Sequence, residues 1–311
     1  MTHPIPQGTR DVLPDEMREL RALTERMRGC FERAGYGEVW TPSLEYEEVL
    51  RIGDERAAGA GYRLFDENGQ VLALRADMTI PIARMVADRY RDAEPPFRLC
   101  YLGHAYRAAE RGAGQPREFL QGGVELVGVP GAPGDAEVVA VCIAALDEAG
   151  LRRHRVGVGD GSLYKRLLAA LEVPEERHLP LLEAQARKLG LADGDRELLV
   201  RLPELRGGPE VLERADGPVA GAVEELRELH AELESRGVAD RVIFDLGLVR
   251  ELGYYTGAVF EVYDPAVGFA LGGGGRYDEL IGRFGRDLPA CGIALDVQRV
   301  HLAQAAEEAL G

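Results

Sequence analysis

A short stretch near the C-terminal end of the sequence combines one permanent cation with several hydroxyl groups. Residues 245–263 contain, between two strand-like runs, Arg250, Tyr254, Tyr255 and Thr256. The guanidinium group of an arginine is a planar fork of donors that suits a carboxylate. Adjacent tyrosines on a strand point to opposite faces, so at most one of the two should line a given pocket. The alternative is an exposed arginine beside aromatic side chains that pack in the core.

Two further groups of polar side chains occur earlier in the chain. Asp77 and Thr79 immediately precede a predicted helix, where such residues commonly satisfy the first free amide groups. Gln121 and Glu125 are four residues apart in a predicted strand, and this even spacing puts both on one face. A carboxylate is costly to bury without a cationic or N–H partner. This face of the strand therefore either meets a polar ligand or is exposed.

The elements that position these residues are a mixture of helices and strands. Apolar residues at three- and four-residue steps predict an amphipathic helix at 14–34. Alternation on both sides of a turn predicts a hairpin at 62–75. A run of four glycines before Arg276 predicts either a close approach of the backbone to a ligand or a flexible turn. We also predict helices at about 80–91, 132–149 and 278–284, strands at 97–106 and 119–127, two strands joined by a glycine turn within 245–263, and a strand with a closing helix in 290–310.

Residues 162–237 are rich in leucine and charged residues that recur with a helical period. Because predicted strands lie on both sides of them, they should form a helical insertion in a core domain that spans 1–311. The helices of this insertion either only pack on the surface or provide a contact surface for a partner.

Composition limits the possible functions. A formal net charge of −16 repels phosphate backbones, so neither RNA nor DNA is expected as a partner. The apolar runs are too short to cross a membrane, and the N-terminus lacks the apolar segment of a secretory signal. The four cysteines are far apart, which favours buried free thiols over a disulfide framework or a metal site. These features predict a cytoplasmic protein without a cofactor.

Several of these stretches resemble the histidyl-tRNA synthetase family of class II aminoacyl-tRNA synthetases. The run 248–261 resembles the family's histidine-specific signature, from which Glu251 and Gly253 depart. The helix, glycine and strand before Pro42 resemble motif 1, which usually forms a dimer interface. The sequence also resembles motif 2, with Arg107, Gln121 and Glu125; the G-G-G-R-Y-D motif, with Tyr277; and motif 3, with Gly292 and Arg299.

This resemblance implies an α+β fold, in which helices flank an antiparallel sheet, and a pocket for L-histidine. It implies that Arg107 holds the carboxylate of the ligand and that Asp77, Thr79 and Gln121 hold its ammonium group. It further implies that the imidazole is surrounded by Glu125, Arg250, Tyr254, Tyr255 and Tyr277.

The sequence departs from the synthetases where a nucleotide would bind. Ala109 replaces a carboxylate that helps to hold adenine, and Gln298 replaces a glutamate. Asp296 occupies a glycine position of motif 3, where its charge and bulk oppose ATP. The sequence also ends soon after motif 3, so no anticodon-binding domain is expected.

With these departures, the sequence resembles the synthetase-like regulatory subunits of ATP phosphoribosyltransferase. That resemblance implies a non-catalytic protein of histidine biosynthesis that forms dimers, binds L-histidine and activates a short-form catalytic subunit. Two alternatives remain: an enzyme that activates histidine in the manner of a histidyl-tRNA ligase, and an interaction protein with a vestigial pocket.

Overall fold

The computed structural model describes residues 3–55, 61–108, 116–163, 166, 201–215, 217–248 and 253–310. Within these ranges the α-helices are α1 (Pro14–Arg33), α2 (Glu47–Gly53), α3 (Thr79–Arg89), α4 (Gly131–Glu148), α5 (Ala220–Ser235) and α6 (Val297–Leu310). Short 3-10 helices are found at Leu202–Glu204, Pro209–Arg214, Gly217–Val219, Ala239–Arg241 and Gly282–Phe284.

The strands of the described residues form two sheets. A small sheet contains β2 (Leu44–Tyr46), β3 (Arg63–Phe65) and β4 (Val71–Leu74) in the order β2-β4-β3. The large sheet contains β1 (Gly37–Glu38), β5 (Phe97–Tyr106), β6 (Glu118–Val127), β7 (Arg155–Asp160), β8 (Arg206–Gly207), β9 (Val242–Asp245), β10 (Ala258–Tyr263), β11 (Gly272–Arg276) and β12 (Ala290–Asp296). Its order is β1-β5-β6-β12-β11-β10-β7-β9-β8.

The large sheet is mainly antiparallel, as predicted, and its parallel pairs are β1 with β5 and β7 with β9. Successive residues of β5 point to opposite faces, and each face has its own apolar cluster. Cys100 belongs to a cluster that includes residues of α1, α4 and α5. Leu99 and Tyr101 belong to a second cluster, which includes residues of α3 and the three predicted site tyrosines. The candidate site therefore lies on the α3 face of the sheet.

The apolar stripe of α1 explains how the first face is covered. The predicted helix at 14–34 is confirmed as α1, and its buried residues recur at helical steps: Leu20, Leu23, Met27, Cys30 and Phe31. The stripe packs against α4. This helix is mostly apolar, as expected for a helix that is covered by the sheet and by neighbouring helices. The four cysteines are buried and free, as expected.

The glycine run forms a central strand, so the flexible-turn alternative is wrong. The run is β11, which lies between β10 and β12. A Cβ added at Gly274 would lie 1.9 Å from the carbonyl oxygen of Gly292, and one at Gly275 would lie 2.8 Å from the ring of Tyr255. These glycines are needed because neighbouring backbone and a site tyrosine occupy the space of a side chain.

Two local predictions are corrected. The first half of 245–263 was expected to be a strand, but β9 ends at Asp245 and is followed by a turn, while the second half forms β10 as expected; residues 249–252 lie outside the described ranges. The helix expected after Asp278 is instead a turn followed by one 3-10 turn, Gly282–Phe284. Asp245 ends the first strand because its Oδ1 accepts the N–H of Gly247, which closes a local turn.

The described end of the predicted insertion is part of the main body. β8 pairs with β9 at the edge of the large sheet, and α5 packs on α4. Buried leucines of α5 belong to the same apolar cluster as α4. Most of the remaining predicted helices fall in 167–200, outside the described residues, so the insertion boundaries 162–237 stay a prediction. Among the described helices none is long and apolar enough to cross a membrane.

Candidate amino-acid binding site

Glu125 is a carboxylate buried at the centre of the large sheet. It lies on β6 and is 1% exposed. The hydroxyl of Thr79 donates a hydrogen bond of 2.8 Å to one carboxylate oxygen, and the hydroxyl of Tyr277 donates to the other. A Cβ at the facing Gly292 would lie 1.8 Å from the carboxylate, so glycine makes room for it. Burial raises the pKa of Glu125 to about 7, and the hydrogen bonds from the two hydroxyls limit this rise.

Asp77 caps the following helix, which is one of the two roles that the sequence suggested for Asp77 and Thr79. One oxygen of Asp77 accepts the N–H of Ile80 at 3.1 Å, so the carboxylate satisfies an amide in the first turn of α3. Thr79 turns its hydroxyl toward Glu125 instead. Burial raises the pKa of Asp77, and its charge also contributes to the raised pKa of Glu125. The start of α3 thus brings a second carboxylate close to the first.

Three tyrosines enclose this pair of carboxyl groups. The rings of Tyr254 and Tyr255 are 4.9 Å apart, and those of Tyr254 and Tyr277 are 5.9 Å apart. Burial raises the pKa of Tyr254 and Tyr277 well above the usual value, so both remain neutral phenols.

The expectation that Tyr254 and Tyr255 face opposite sides was wrong. Both belong to the same apolar cluster, because they lie in the segment before β10 rather than on a strand. The N–H of Gly253 donates to the side chain of Asp54 at 3.1 Å, which fixes the start of this segment. The alternation of a strand does not apply to residues in a turn.

Two polar atoms of the site have no hydrogen-bond partner among the described residues. They are the Oε1 of Gln121 and the hydroxyl oxygen of Tyr101, which lies near Glu125 without a well-aligned hydrogen bond; both atoms are buried. Tyr101 faces Gly123 across β5 and β6, where an added Cβ would lie 2.6 Å from the hydroxyl. A buried polar atom without a partner costs about 1–3 kcal/mol, which a polar ligand would recover. Sequence reasoning missed Tyr101, because only the strand register reveals its glycine partner.

Next to this cluster is an open cavity of about 210 Å³. Its polar lining comes from Arg107, Gln121, Glu261, Asp296 and Arg299. The guanidinium carbon of Arg107 lies 5.4 Å from the centre of the Phe119 ring, which is a cation–π distance. Arg107 is exposed and can meet an anionic group of a ligand in the cavity.

The far wall of the cavity is closed by internal contacts. One oxygen of Asp296 accepts the N–H of Arg299 at 3.0 Å and caps α6, while the other lies 3.4 Å from the Arg299 guanidinium. Arg299 also donates to the carbonyl oxygen of Ala270 at 2.8 Å and lies over the ring of Phe269. Gln298 accepts the N–H of Leu120. The arginine that fits motif 3 is therefore partly engaged by Asp296 and by the carbonyl oxygen of Ala270.

The structure brings most of the predicted site residues together. One group lies on the α3 face of the sheet and contains Asp77, Thr79, Glu125, Tyr254, Tyr255 and Tyr277. The adjacent cavity is lined by Arg107 and Gln121. Arg250 and Ala109 lie outside the described residues, so their predicted roles stay predictions. No group of three metal-binding side chains is found in the part of the chain that the structure describes.

Arg276, the last residue of β11, fixes the position of the adjacent Tyr277. It is 5% exposed and forms an ion pair with Asp135 of α4 at 2.9 Å. It also donates to Asp278 and to the carbonyl oxygen of Gly131, both at 2.8 Å. The end of β11, directly before Tyr277, is thereby attached to the start of α4. The sequence identified this arginine only as part of a motif, with no role of its own.

The fold matches that of solved synthetase-like proteins. The ATP phosphoribosyltransferase regulatory subunit/histidyl-tRNA synthetase from Bacillus halodurans C superposes with a TM-score of 0.90 at 35% identity, over 98% of this chain and 84% of the other. Histidyl-tRNA synthetase from Nostoc sp. PCC 7120 shares the fold, with a TM-score of 0.79 at 22% identity, over 99% of this chain and 76% of the other. The architecture thus defines a class II aminoacyl-tRNA synthetase-like protein.

Sequence comparison identifies the family within this class to which the chain belongs. The family model for histidyl-tRNA synthetase matches residues 8–300. The ATP phosphoribosyltransferase regulatory subunit of Desulforamulus reducens is 41% identical, over 95% of this chain and 78% of its own length. That of Symbiobacterium thermophilum is also 41% identical, over 98% and 81%. The chain belongs to the histidyl-tRNA synthetase family and, within it, to the ATP phosphoribosyltransferase regulatory subunits.

Proposed function

We propose that this chain is a non-catalytic regulatory subunit that binds free L-histidine and controls a separate ATP phosphoribosyltransferase catalytic subunit. It activates that subunit when histidine is scarce and mediates feedback inhibition when histidine is bound. The observation that carries the proposal is Glu125, a buried carboxylate held by two hydroxyls in a site of phenols and a second carboxylate. Such a site suits a small ligand with two nitrogen-bearing groups.

Each part of histidine has a matching group. The imidazole has one N–H and one acceptor nitrogen when it is neutral, which a carboxylate and a phenol can bind. Glu125 and Tyr277 supply these groups, and Tyr101 and Gln121 offer buried polar atoms that lack partners. Asp77 attracts the ammonium group. Arg107 receives the carboxylate at the mouth of the cavity, where a guanidinium group binds it with two hydrogen bonds.

The cavity wall favours binding without activation of the amino acid. A nucleotide would bring phosphate charge toward Asp296, whose carboxylate is already held by Arg299. The carboxylate of Asp296 repels a phosphate group brought close to it, and it partly neutralises the Arg299 charge that would attract one. Calorimetry and pyrophosphate exchange separate the outcomes: the proposal requires histidine binding without exchange from ATP. Robust exchange would make the chain a histidine-activating enzyme, and no heat at millimolar histidine would make the site vestigial.

Regulation requires more than occupancy. Histidine can inhibit the complex only if it binds one state of the complex more tightly than another. The direct test mixes the purified chain with a short-form catalytic subunit and measures phosphoribosyl transfer with and without histidine. We expect the chain to raise the rate and histidine to lower it again. A rate that is independent of the chain would refute the regulatory role.

Replacing Tyr277 with phenylalanine should weaken histidine binding about tenfold. The change removes one hydroxyl that bonds to Glu125, and hydrogen bonds to charged groups contribute about 1.5–3 kcal/mol. Calorimetry measures the affinity. Tyr90→Phe is the matched control, because its ring packs on Phe97 and its hydroxyl forms no hydrogen bond with the described residues. Equal affinity in the Tyr277 variant and the wild type would exclude this hydroxyl from the site.

An exposed apolar sheet face supports the proposed self-dimer. Leu44, Tyr46 and Leu64 are 43%, 45% and 42% exposed. The register pairs Leu44 with Leu74, and both Tyr46 and Leu64 with Leu72, so all of them share one face of the small sheet. Contiguous exposed apolar surface of this kind marks interaction sites. We expect Leu64→Glu to shift the chain from dimer to monomer in light scattering after size exclusion, and an unchanged mass would place the interface elsewhere.

A further inference from the structure

A second pocket lies at the opposite edge of the large sheet, beyond the residues of the proposed histidine site. It has a volume of about 490 Å³. Four arginines line it, from the loop before β7, from the first residue of β7 and from β8: Arg152, Arg153, Arg155 and Arg206. Tyr263, at the end of β10, forms part of the wall. In a chain with a net charge of −16, four cations around one concavity need an explanation.

The carboxylates around this pocket neutralise the arginines only in part, since Arg206 pairs with Asp245, and burial raises the pKa of Asp264 while the charge of Arg153 opposes this rise. Glu307 accepts the backbone N–H groups of Arg152 and Arg153 at 2.9–3.1 Å, rather than their guanidinium groups. Asp264, the acidic residue of the lining, accepts the backbone N–H of Ala266. Both carboxylates are therefore engaged by the main chain. Among the described residues no carboxylate oxygen lies within 4.0 Å of the guanidinium groups of Arg152, Arg153 or Arg155.

Three of the arginines are held in place, Arg152 and Arg155 by neutral carbonyl groups and Arg206 by an aromatic ring and a long ion pair. Arg152 donates from Nη1 to the carbonyl oxygen of Asp147 at 2.7 Å, and Arg155 donates from Nη1 to that of His154 at 3.0 Å. Arg206 lies over the ring of Tyr263 at 5.3 Å, and its Nε is 3.6 Å from Asp245. A carbonyl or an aromatic ring orients a guanidinium group and leaves its full charge. These contacts pre-organise donors for an anion.

We propose that this pocket binds a small molecule that carries two or more linked phosphate groups. Arginine binds phosphate oxygens with paired N–H groups, and several arginines in one concavity suit several phosphates. The volume is that of a pocket for a nucleotide-sized ligand. An extended acidic peptide is a poorer match, because the adjacent edge strand β8 has only two residues to which a peptide strand could pair.

The pocket also has a direct connection to the first cavity. The hydroxyl of Tyr263 donates to Glu261, which lines the cavity beside Gln121 and Arg107. Glu261 and Tyr263 are two residues apart on β10 and lie on one face. A ligand that moves Tyr263 would therefore act on a group of the histidine cavity, and coupling between two such sites is reciprocal.

The test is calorimetric titration of the full chain with tripolyphosphate and with ATP. We expect saturable binding that weakens about tenfold or more in Arg153→Gln, because this variant loses one charged phosphate contact. The Arg153 guanidinium forms no hydrogen bond with the described residues, so its removal should leave thermal unfolding unchanged. Arg18→Gln, an equal charge change on the exposed side of α1, should bind like the wild type.

Several results would overturn the proposal. Absence of saturable binding, or equal affinity in Arg153→Gln and the wild type, would show that the pocket does not bind polyphosphate. A tenfold loss of affinity in Arg18→Gln would show that binding depends on the overall charge of the chain rather than on this pocket. A loss in Arg107→Gln with none in Arg153→Gln would move the polyphosphate to the first cavity. Tighter binding of a decaglutamate peptide than of tripolyphosphate would assign this face to an acidic protein segment. Apart from the result for Arg107→Gln, which concerns the histidine cavity itself, these results leave histidine binding at Glu125 untouched.

Discussion

Glu125→Gln is expected to weaken L-histidine binding about 10- to 100-fold while the chain stays folded. Glutamine has the shape of the protonated acid and can still bond to Thr79 and Tyr277. It cannot carry the negative charge that strengthens a hydrogen bond to an imidazole N–H by about 1.5–3 kcal/mol. Calorimetry at pH 8 measures the loss, because there the wild-type carboxylate, with a pKa of about 7, is mostly ionised.

The same variant should show a pH-dependent gain in stability. The pKa of Glu125 is about 7 in the folded chain, against an ordinary value of 4.5. The folded state therefore binds the proton more tightly, and its stability falls as pH rises from about 4.5 to 7. Glutamine does not ionise, so the variant does not lose stability over this pH range. We expect Glu125→Gln to be more stable than the wild type by up to about 3 kcal/mol at pH 8, and by almost nothing at pH 4.5.

The difference between the two chains isolates this one group. Buried His154 acts in the opposite direction, because its pKa is lowered to about 4 and stability is lost as pH falls below 6.5. His154 is present in both chains, so its contribution cancels in the comparison. Glu118→Gln, at the exposed start of the same strand, is the control for the chemical change. A difference that stays constant from pH 4.5 to 8 would contradict the buried, proton-binding state of Glu125.

Arg276→Met should destabilise the chain by about 3–5 kcal/mol. Methionine has a similar length, but it leaves the Asp135 carboxylate buried without a cation, and breaking a buried ion pair in this way has a cost of that size. Carbonyl oxygens of Val129 and Gly131 lose a donor as well. Denaturant unfolding measures the change. Histidine affinity should fall too, because Arg276 holds the end of β11, directly before Tyr277, against α4.

A double variant shows whether the loss comes from the unpaired charge. Arg276→Met with Asp135→Leu removes both charges, and well-packed apolar replacements of a buried pair are often close to neutral. We expect the double variant to be more stable than Arg276→Met alone. Arg283→Met is a control, since Arg283 is exposed and donates to one carbonyl oxygen. If Arg276→Met unfolds at the same denaturant concentration as the wild type, the pair does not hold the site together.

The sequence predicted the parts of the fold that depend on local pattern. The apolar stripe of α1, the hairpin of β3 and β4, and strands β5 and β6 follow from side-chain period and turn residues, and all are confirmed. The even spacing of Gln121 and Glu125 predicted one face correctly. What the pattern left open was whether that face is exposed or meets a ligand. The structure shows that Glu125 is buried, because α3 and the tyrosines cover it.

Other features depend on contacts between distant segments, which no local pattern contains. The strand predicted at 245–253 ends at Asp245 because a side chain caps a turn there, and Tyr254 and Tyr255 share one cluster because they precede β10 rather than lie on a strand. The space needed by Glu125 comes from Gly292, a partner more than 160 residues away whose role depends on strand register. Tyr101 was missed for the same reason. Resemblance to a known family supplied Arg107 and Tyr277, which pattern alone did not distinguish from core residues.

A crystal structure with L-histidine tests the central claim most directly. The account predicts density for one histidine with its imidazole within hydrogen-bond distance of Glu125 and Tyr277 and its carboxylate beside Arg107. Histidine bound anywhere else in the chain, or an unoccupied Glu125 site in crystals grown with millimolar histidine, would contradict it.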